Sequence, residues 1–185
     1  MKLTTQQTEL LESFAEYYPD FPGPGVLFKD LSWIYTSKEA KQLVKELIIQ
    51  LFEERANEGK PAPDCVIGCD ARGFIIGTMI SMILDLPFVL ARKPGKLPGN
   101  NLLKQEYVLE YGKSELQIQK HIIEQYKSPI ISDDLLATGG TCEATTLMLN
   151  SINIKVNCYF FLSEIIELVG RKKLEKYGDV FSLLK

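Results

Sequence analysis

Pro129-Ile130-Ile131-Ser132-Asp133-Asp134-Leu135-Leu136-Ala137-Thr138-Gly139-Gly140-Thr141 is the stretch from which the rest of this chain can be read. An apolar run suited to a buried strand, Pro129 to Ser132, meets two adjacent carboxylates. A loop of small residues follows and opens a helix that runs through Asn150. Such a helix start suits an anion: its first amides lack intrahelical partners, its dipole is positive there, and Gly139 and Gly140 let a ligand approach the backbone. Thr138 and Thr141 add hydroxyl donors, so the loop is expected to hold a phosphate. Asp133 and Asp134 cannot face that phosphate; they are expected to accept hydrogen bonds from ribose hydroxyls or to orient a hydrated Mg²⁺. Neither the Walker A spacing nor Gly-x-Gly-x-x-Gly is present, so nucleoside triphosphate and dinucleotide sites lack their defining residues.

Working outward, the flanks alternate strand and helix. Asp64 to Cys69 predicts a buried strand, Asp70-Ala71-Arg72-Gly73 a short loop, the apolar run to Leu84 a helix, and Phe88 to Ala91 a second strand. Ser37 is placed to cap a long helix with the apolar face Leu43, Val44, Leu47, Ile48, Leu51 and Phe52, closed by Gly59. Leu10, Leu11, Phe14 and Tyr18 predict a helix over Thr5 to Tyr17 that ends in the Pro/Gly segment Pro19 to Gly25. Downstream, Val156 to Leu162 and Val180 to Leu184 predict strands, with a helix near Ile166 to Lys176 between them. Tyr107, Leu109 and Tyr111 alternate, as do Leu116 and Ile118, predicting an antiparallel hairpin that turns near Gly112 and Lys113. Arg92 to Gly99 is expected to be a mobile basic loop. Together these elements predict an α/β fold with a mostly parallel central sheet flanked by helices.

Bulk properties narrow the function. A chain of 185 residues, 45% hydrophobic, can bury one core without disulfides or metals. Its longest apolar stretch stops at Asp85, well short of a membrane span, and the polar opening carries no signal-type apolar core, so the expected compartment is the cytosol. A net charge of −3 and a pI near 5.3 argue against a nucleic-acid footprint. Cys65, Cys69, Cys142 and Cys158 are expected to be reduced, mostly buried thiols. Cys65 and Cys69 share one side of a strand with Ile67 between them, but the second half of a zinc-knuckle spacing is missing. The single histidine, His121, lies among Gln117, Gln119 and Lys120, which disfavours a Ser-His-Asp hydrolase.

The run Asp133 to Thr141 resembles the phosphoribosyl-pyrophosphate loop of type I phosphoribosyltransferases. Three further segments resemble the adenine-specific members: Pro19-Asp20-Phe21-Pro22-Gly23-Pro24-Gly25-Val26-Leu27-Phe28-Lys29-Asp30-Leu31, Arg92 to Gly99, and Leu109-Glu110-Tyr111-Gly112-Lys113-Ser114-Glu115-Leu116. The resemblance implies one domain over residues 1–185, with residues 1–35 as an N-terminal helix and base-binding hood and residues 36–185 as the core. It implies a homodimer that converts adenine and 5-phosphoribosyl 1-pyrophosphate to AMP and pyrophosphate in purine salvage. Mg²⁺ would be bound through phosphoribosyl pyrophosphate or pyrophosphate and water, with no direct protein ligand. By the family pattern Asp133 and Asp134 hold the ribose hydroxyls, Ala137, Thr138, Gly139, Gly140 and Thr141 hold the 5′-phosphate, and Arg72 binds pyrophosphate. Phe28 stacks on adenine while backbone groups at Leu27 and Lys29 read its edge. Arg92, Lys93, Lys96 and Tyr111 add substrate contacts, and Glu110 manages the proton on N7. Leu27, Lys29 and Ser132 stand where the family commonly has Val, Arg and an apolar residue. Two alternatives keep the same loop: another purine as substrate, or a non-catalytic sensor of phosphoribosyl pyrophosphate that regulates transcription. The acid at 110 and the basic loop favour catalysis.

Overall fold

Apolar strands that read as continuous hydrophobic runs are stable only when both faces of their sheet are covered, and this architecture covers both. The structure is a computed structural model that describes residues 3–21, 23–25, 27–109 and 112–185, with the backbone alone at 108, 109, 112 and 113. In chain order the elements are α1 (Thr5–Glu12), β1 (Glu16–Pro19), β2 (Leu27–Asp30), α2 (Ser32–Thr36), α3 (Lys38–Asn57), β3 (Cys65–Cys69), α4 (Gly73–Leu84), β4 (Phe88–Ala91), β5 (Leu102–Leu109), β6 (Gly112–Gln119), α5 (Lys120–Ile123), β7 (Pro129–Leu136), α6 (Gly140–Asn150), β8 (Cys158–Glu164), a 3₁₀ turn (Ile166–Leu168), α7 (Gly170–Leu174) and β9 (Asp179–Leu184).

The central sheet has five strands in the order β4-β3-β7-β8-β9, and every neighbouring pair is parallel. Alternation sorts side chains to its two faces. Tyr159 and Phe161 join Cys65, Ile67, Cys69, Ile131 and Cys142 on one face. Phe160 and Leu162 join Val66, Ile130 and the buried stripe of α3 on the other. Ser37 caps α3 as expected, accepting from the Ala40 amide. Two antiparallel pairs stand apart from the sheet: β1 with β2, and the predicted hairpin β5 with β6, in which Gly112 and Lys113, expected at the turn, instead pair as strand residues with Leu109 and Val108. Among the described residues no helix is long and apolar enough to cross a membrane.

The structure corrects three expectations. The first helix ends at Glu12 instead of Tyr17: Tyr17 and Tyr18 pair with Lys29 and Phe28, and Pro19 biases Tyr18 away from helical backbone. Ile166 to Lys176 is not one helix. Val169 takes positive φ (55°) between the 3₁₀ turn and α7, which breaks the helical path. Asp133 and Asp134 lie inside β7, which runs on to Leu136, so the pair is held by the sheet instead of starting a loop.

The β3 and β7 strands are adjacent, yet the chain leaves β3 for β4 on one side and later returns to β7 on the other. That reversal of strand order is where open α/β sheets leave a crevice at the carboxyl ends of their strands.

Candidate active site

Two strand ends supply the groups at this crevice. After β3 comes the loop Asp70–Arg72, which contains a cis Asp70–Ala71 peptide bond and leads into α4. Opposite it, β7 carries Asp133 and Asp134. Arg72 Nε forms an ion pair with Asp134 Oδ2 at 2.9 Å, and the Arg72 guanidinium lies 5.6 Å from the centroid of the Phe28 ring. One side chain therefore links Asp134 of β7 to the β1–β2 pair.

Close approach of α4 to β7 depends on missing side chains. A Cβ on Gly73 would lie 2.7 Å from the Ser132 carbonyl and 2.9 Å from Asp133 Oδ1; one on Gly77 would lie 2.7 Å from Ser132 Oγ. This explains the unusual Ser132. It is fully buried, a larger apolar residue would collide with α4, and its hydroxyl donates to the Ile67 carbonyl at 3.2 Å.

Burial dominates the electrostatics of both acids. Burial pushes the Asp133 carboxyl well above the ordinary carboxylate range, and the neighbouring Cys69 and Asp134 push the same way. Burial also raises Asp134, against the opposing pull of Arg72. Tyr35, which the sequence reading passed over, has a buried hydroxyl with no hydrogen-bond partner among the described residues. Burial first, then Asp134 and Asp133, hold this phenol above its ordinary range. Such a cluster is unfavourable in the free protein and becomes favourable when hydroxyl or cationic donors arrive.

The loop after β7 leads through residues 137–139 into α6. Gly139 takes φ 74° and starts α6, whose first backbone bond runs from the Glu143 amide to the Gly139 carbonyl, so the preceding amides have no intrahelical acceptor. Asp133, Ala137, Thr138, Gly139, Gly140 and Thr141 share a cleft of about 100 Å³ with Cys142. The sequence reading missed what supports this loop. A Cβ on Gly170 would lie 2.1 Å from the Ala137 carbonyl and 2.9 Å from the Gly139 amide, so α7 begins directly against the loop. The only sequence signal was a glycine inside an expected helix.

A larger cleft of about 370 Å³ includes Leu27, Phe28, Lys29, Leu135, Glu164 and Ile165 in its lining. Phe28 is half-buried and packs edge-on to Phe21 at 5.1 Å. The Lys29 ammonium is paired with Glu12 at 2.8 Å. Glu164 is buried and was also missed. Despite the cost of burial, hydrogen bonds from Arg171 (2.5–3.0 Å) and Ser182 hold its carboxyl below the ordinary range, so it ties β8 to α7 and β9.

The basic loop is partly anchored. Arg92 bonds Asp70 at 3.2 Å and exchanges backbone bonds with Gln117, whereas Lys93 and Lys96 are exposed. Glu110 and Tyr111 lie outside the described residues. A separate cleft of about 350 Å³ around Phe52, Arg55, Lys60, Leu84 and Leu86 lies at the opposite, amino-terminal ends of the strands.

Comparison with known proteins fits this geometry. A family model for the phosphoribosyl transferase domain matches residues 30–184. Adenine phosphoribosyltransferase of Halothermothrix orenii is 39% identical over 175 residues, which cover 95% of this chain and 98% of that protein. The enzyme of the same name from Prochlorococcus marinus is 41% identical over 169 residues, 91% of this chain and 94% of its own. Among solved structures, Saccharomyces cerevisiae adenine phosphoribosyltransferase, complexed with an imino-altritol bisphosphate and adenine, superposes with a TM-score of 0.86 at 32% identity, covering 98% of this chain and 100% of its own. The Thermoanaerobacter pseudethanolicus enzyme superposes with a TM-score of 0.85 at 38% identity, covering 96% and 99%.

Proposed function

This chain belongs to the phosphoribosyl transferase family, and from that premise we infer that it is an adenine phosphoribosyltransferase, converting adenine and 5-phosphoribosyl 1-pyrophosphate to AMP and pyrophosphate. The observation that carries the reading is the joining of Asp133 and Asp134 on β7 to the Ala137–Thr141 segment that follows it, with Arg72 reaching across to Phe28.

In this reading the cradle amides and the Thr138 and Thr141 hydroxyls bind the 5′-phosphate, and Asp133 and Asp134 accept from the ribose hydroxyls. Arg72 turns its planar fork to the pyrophosphate. As the bond from C1′ to pyrophosphate breaks and the bond to adenine N9 forms, positive charge builds on the ribose ring. The two carboxylates lie where they stabilise it. Phe28 holds the base, the backbone at Leu27 and Lys29 reads its edge, and Glu110 takes the N7 proton. Arg92, Lys93, Lys96 and Tyr111 complete the substrate contacts.

The carboxylate oxygens beside the pyrophosphate position suit a hard cation, as Mg²⁺ requires, whereas the neighbouring thiols do not. With those carboxylates engaged by ribose hydroxyls, Mg²⁺ is best held by substrate phosphate oxygens and water; when bound it neutralises charge on the departing pyrophosphate. A homodimer and a cytosolic location are part of the same reading; the homodimer rests on the resemblance alone.

The test is a panel in which the protein is incubated with Mg²⁺, phosphoribosyl pyrophosphate and each purine in turn. AMP should form from adenine, with discrimination on the order of 10⁴ against hypoxanthine, whose edge reverses the donor and acceptor pattern. Comparable turnover of hypoxanthine or guanine would overturn the adenine reading, and binding without turnover would favour a sensor.

A further inference from the structure

Cys69 at the end of β3, Cys142 in the first turn of α6 and Asp133 in β7 bring two thiol sulphurs and a carboxylate oxygen within 4.8 Å of one another. Neither thiol has a part in the transfer reaction. Both are free and buried, and Cys69 Sγ is also 3.7 Å from Thr145 Oγ1. Cys142 and Asp133 line the cleft at the phosphate loop, which gives an ion a route to the buried sulphurs from the open face of the site.

We propose that Cys69, Cys142 and Asp133 form a binding site for a thiophilic divalent cation, Zn²⁺ or Cd²⁺, and that its occupation withholds Asp133 from the ribose hydroxyls. Two soft sulphurs and one oxygen form a donor set that selects such ions over Mg²⁺. Around zinc, bonds of about 2.3 Å to sulphur and about 2.0–2.2 Å to oxygen suit three ligand atoms that all lie within 4.8 Å of one another, and leave a fourth position for water. On binding, the thiols release their protons to solvent, two metal–sulphur bonds and one metal–oxygen bond form, and no electrons are transferred. The inhibitory consequence rests on the functional reading above; the metal site does not.

The experiment titrates Cd²⁺ alone into the reduced, Mg²⁺-free protein and follows the near-ultraviolet thiolate-to-cadmium absorption, with equilibrium dialysis for stoichiometry. One ion per chain should bind. Cys69→Ser and Cys142→Ser should each weaken it by at least about 10-fold, the scale on which metal sites respond to a lost partner. The double variant Cys65→Ser/Cys158→Ser, which keeps only the proposed thiols, should retain the absorption, and this arm decides the matter even if a variant at 69 or 142 fails to fold. Ribose 5-phosphate should raise the Cd²⁺ concentration for half-saturation by about 5-fold or more, as expected for two ligands sharing one carboxylate. In turnover assays Cys69→Ser should keep its Mg²⁺-supported rate while losing sensitivity to Cd²⁺. Absence of the absorption in the wild type, or its loss in the Cys65/Cys158 double variant, would overturn the metal site, and indifference to ribose 5-phosphate would overturn its competition with the sugar for Asp133. A protein that binds Cd²⁺ as described but fails the purine panel would sink the functional reading and leave the metal site standing.

Discussion

Asp133 concentrates the conflict between folding and function in this molecule. A carboxyl whose folded-state titration lies above its unfolded value contributes favourably below that unfolded value, about 3.9, and the contribution is lost as pH rises through the folded value. Asp133 is raised in this sense, so it weakens the free protein at neutral pH. Asp133→Asn is therefore expected to melt at a higher temperature than the wild type near neutral pH, by about 2–4 °C for each kcal/mol relieved, with the gap closing toward pH 4. The same variant should lose ribose 5-phosphate binding in calorimetric titration. Equal melting temperatures at neutral pH would mean the carboxylate is solvated. Tyr35 has a parallel role, because an unsatisfied buried hydroxyl costs about 1–3 kcal/mol. Tyr35→Phe should leave the free protein at least as stable and weaken binding of ribose 5-phosphate with pyrophosphate. Unchanged affinity would remove Tyr35 from the site.

Among the elements, β7 with the helix start after it was the most legible in sequence, because its cues are local: an apolar run, an acid pair, small residues and glycines at the turn. The capped helix α3 and the β3–α4–β4 unit were legible for the same reason. What escaped depends on contacts between distant segments. The shortened α1 reflects pairing of Tyr17 and Tyr18 with β2, a tertiary demand that overrode helical periodicity. The acids were expected just beyond a strand end because the apolar run stops at Ser132, yet sheet pairing carries the strand to Leu136. Gly170 looked like a weak point in a helix and is instead the place where α7 meets the phosphate loop. Gly170→Ala must push the loop aside by the amount its Cβ overlaps the Ala137 carbonyl. Overpacking of this kind costs about 1–3 kcal/mol, and displacement of a positioning group by about 1 Å can cost 10²-fold in rate. Its kcat/KM should fall accordingly while circular dichroism shows an intact fold; unchanged kinetics would show that the loop adjusts freely. Glu110 and Tyr111, expected on the hairpin, lie outside the described residues, so their assignment rests on the sequence resemblance.

At the scale of the whole molecule, one side chain bridges the β1–β2 pair and the acids of the central sheet. Arg72 is shared between Asp134 of the sheet and the ring of Phe28. A ribose diol that takes over Asp134, with pyrophosphate that recruits the guanidinium, draws Arg72 off the aromatic ring and uncovers surface for the base. Sugar and base are then thermodynamically linked although they touch different layers: each should raise the affinity of the other by the same factor, within the usual range of about 5- to 150-fold. Calorimetric titration of adenine with and without saturating ribose 5-phosphate and pyrophosphate measures one side of that equality, and the converse titration measures the other. Arg72→Ala should reduce the factor toward unity for both ligands, and a coupling that survived the substitution would have to travel by another route. An arginine that in the free protein only bridges an acid and a ring thus sets how strongly the two halves of the reaction depend on each other.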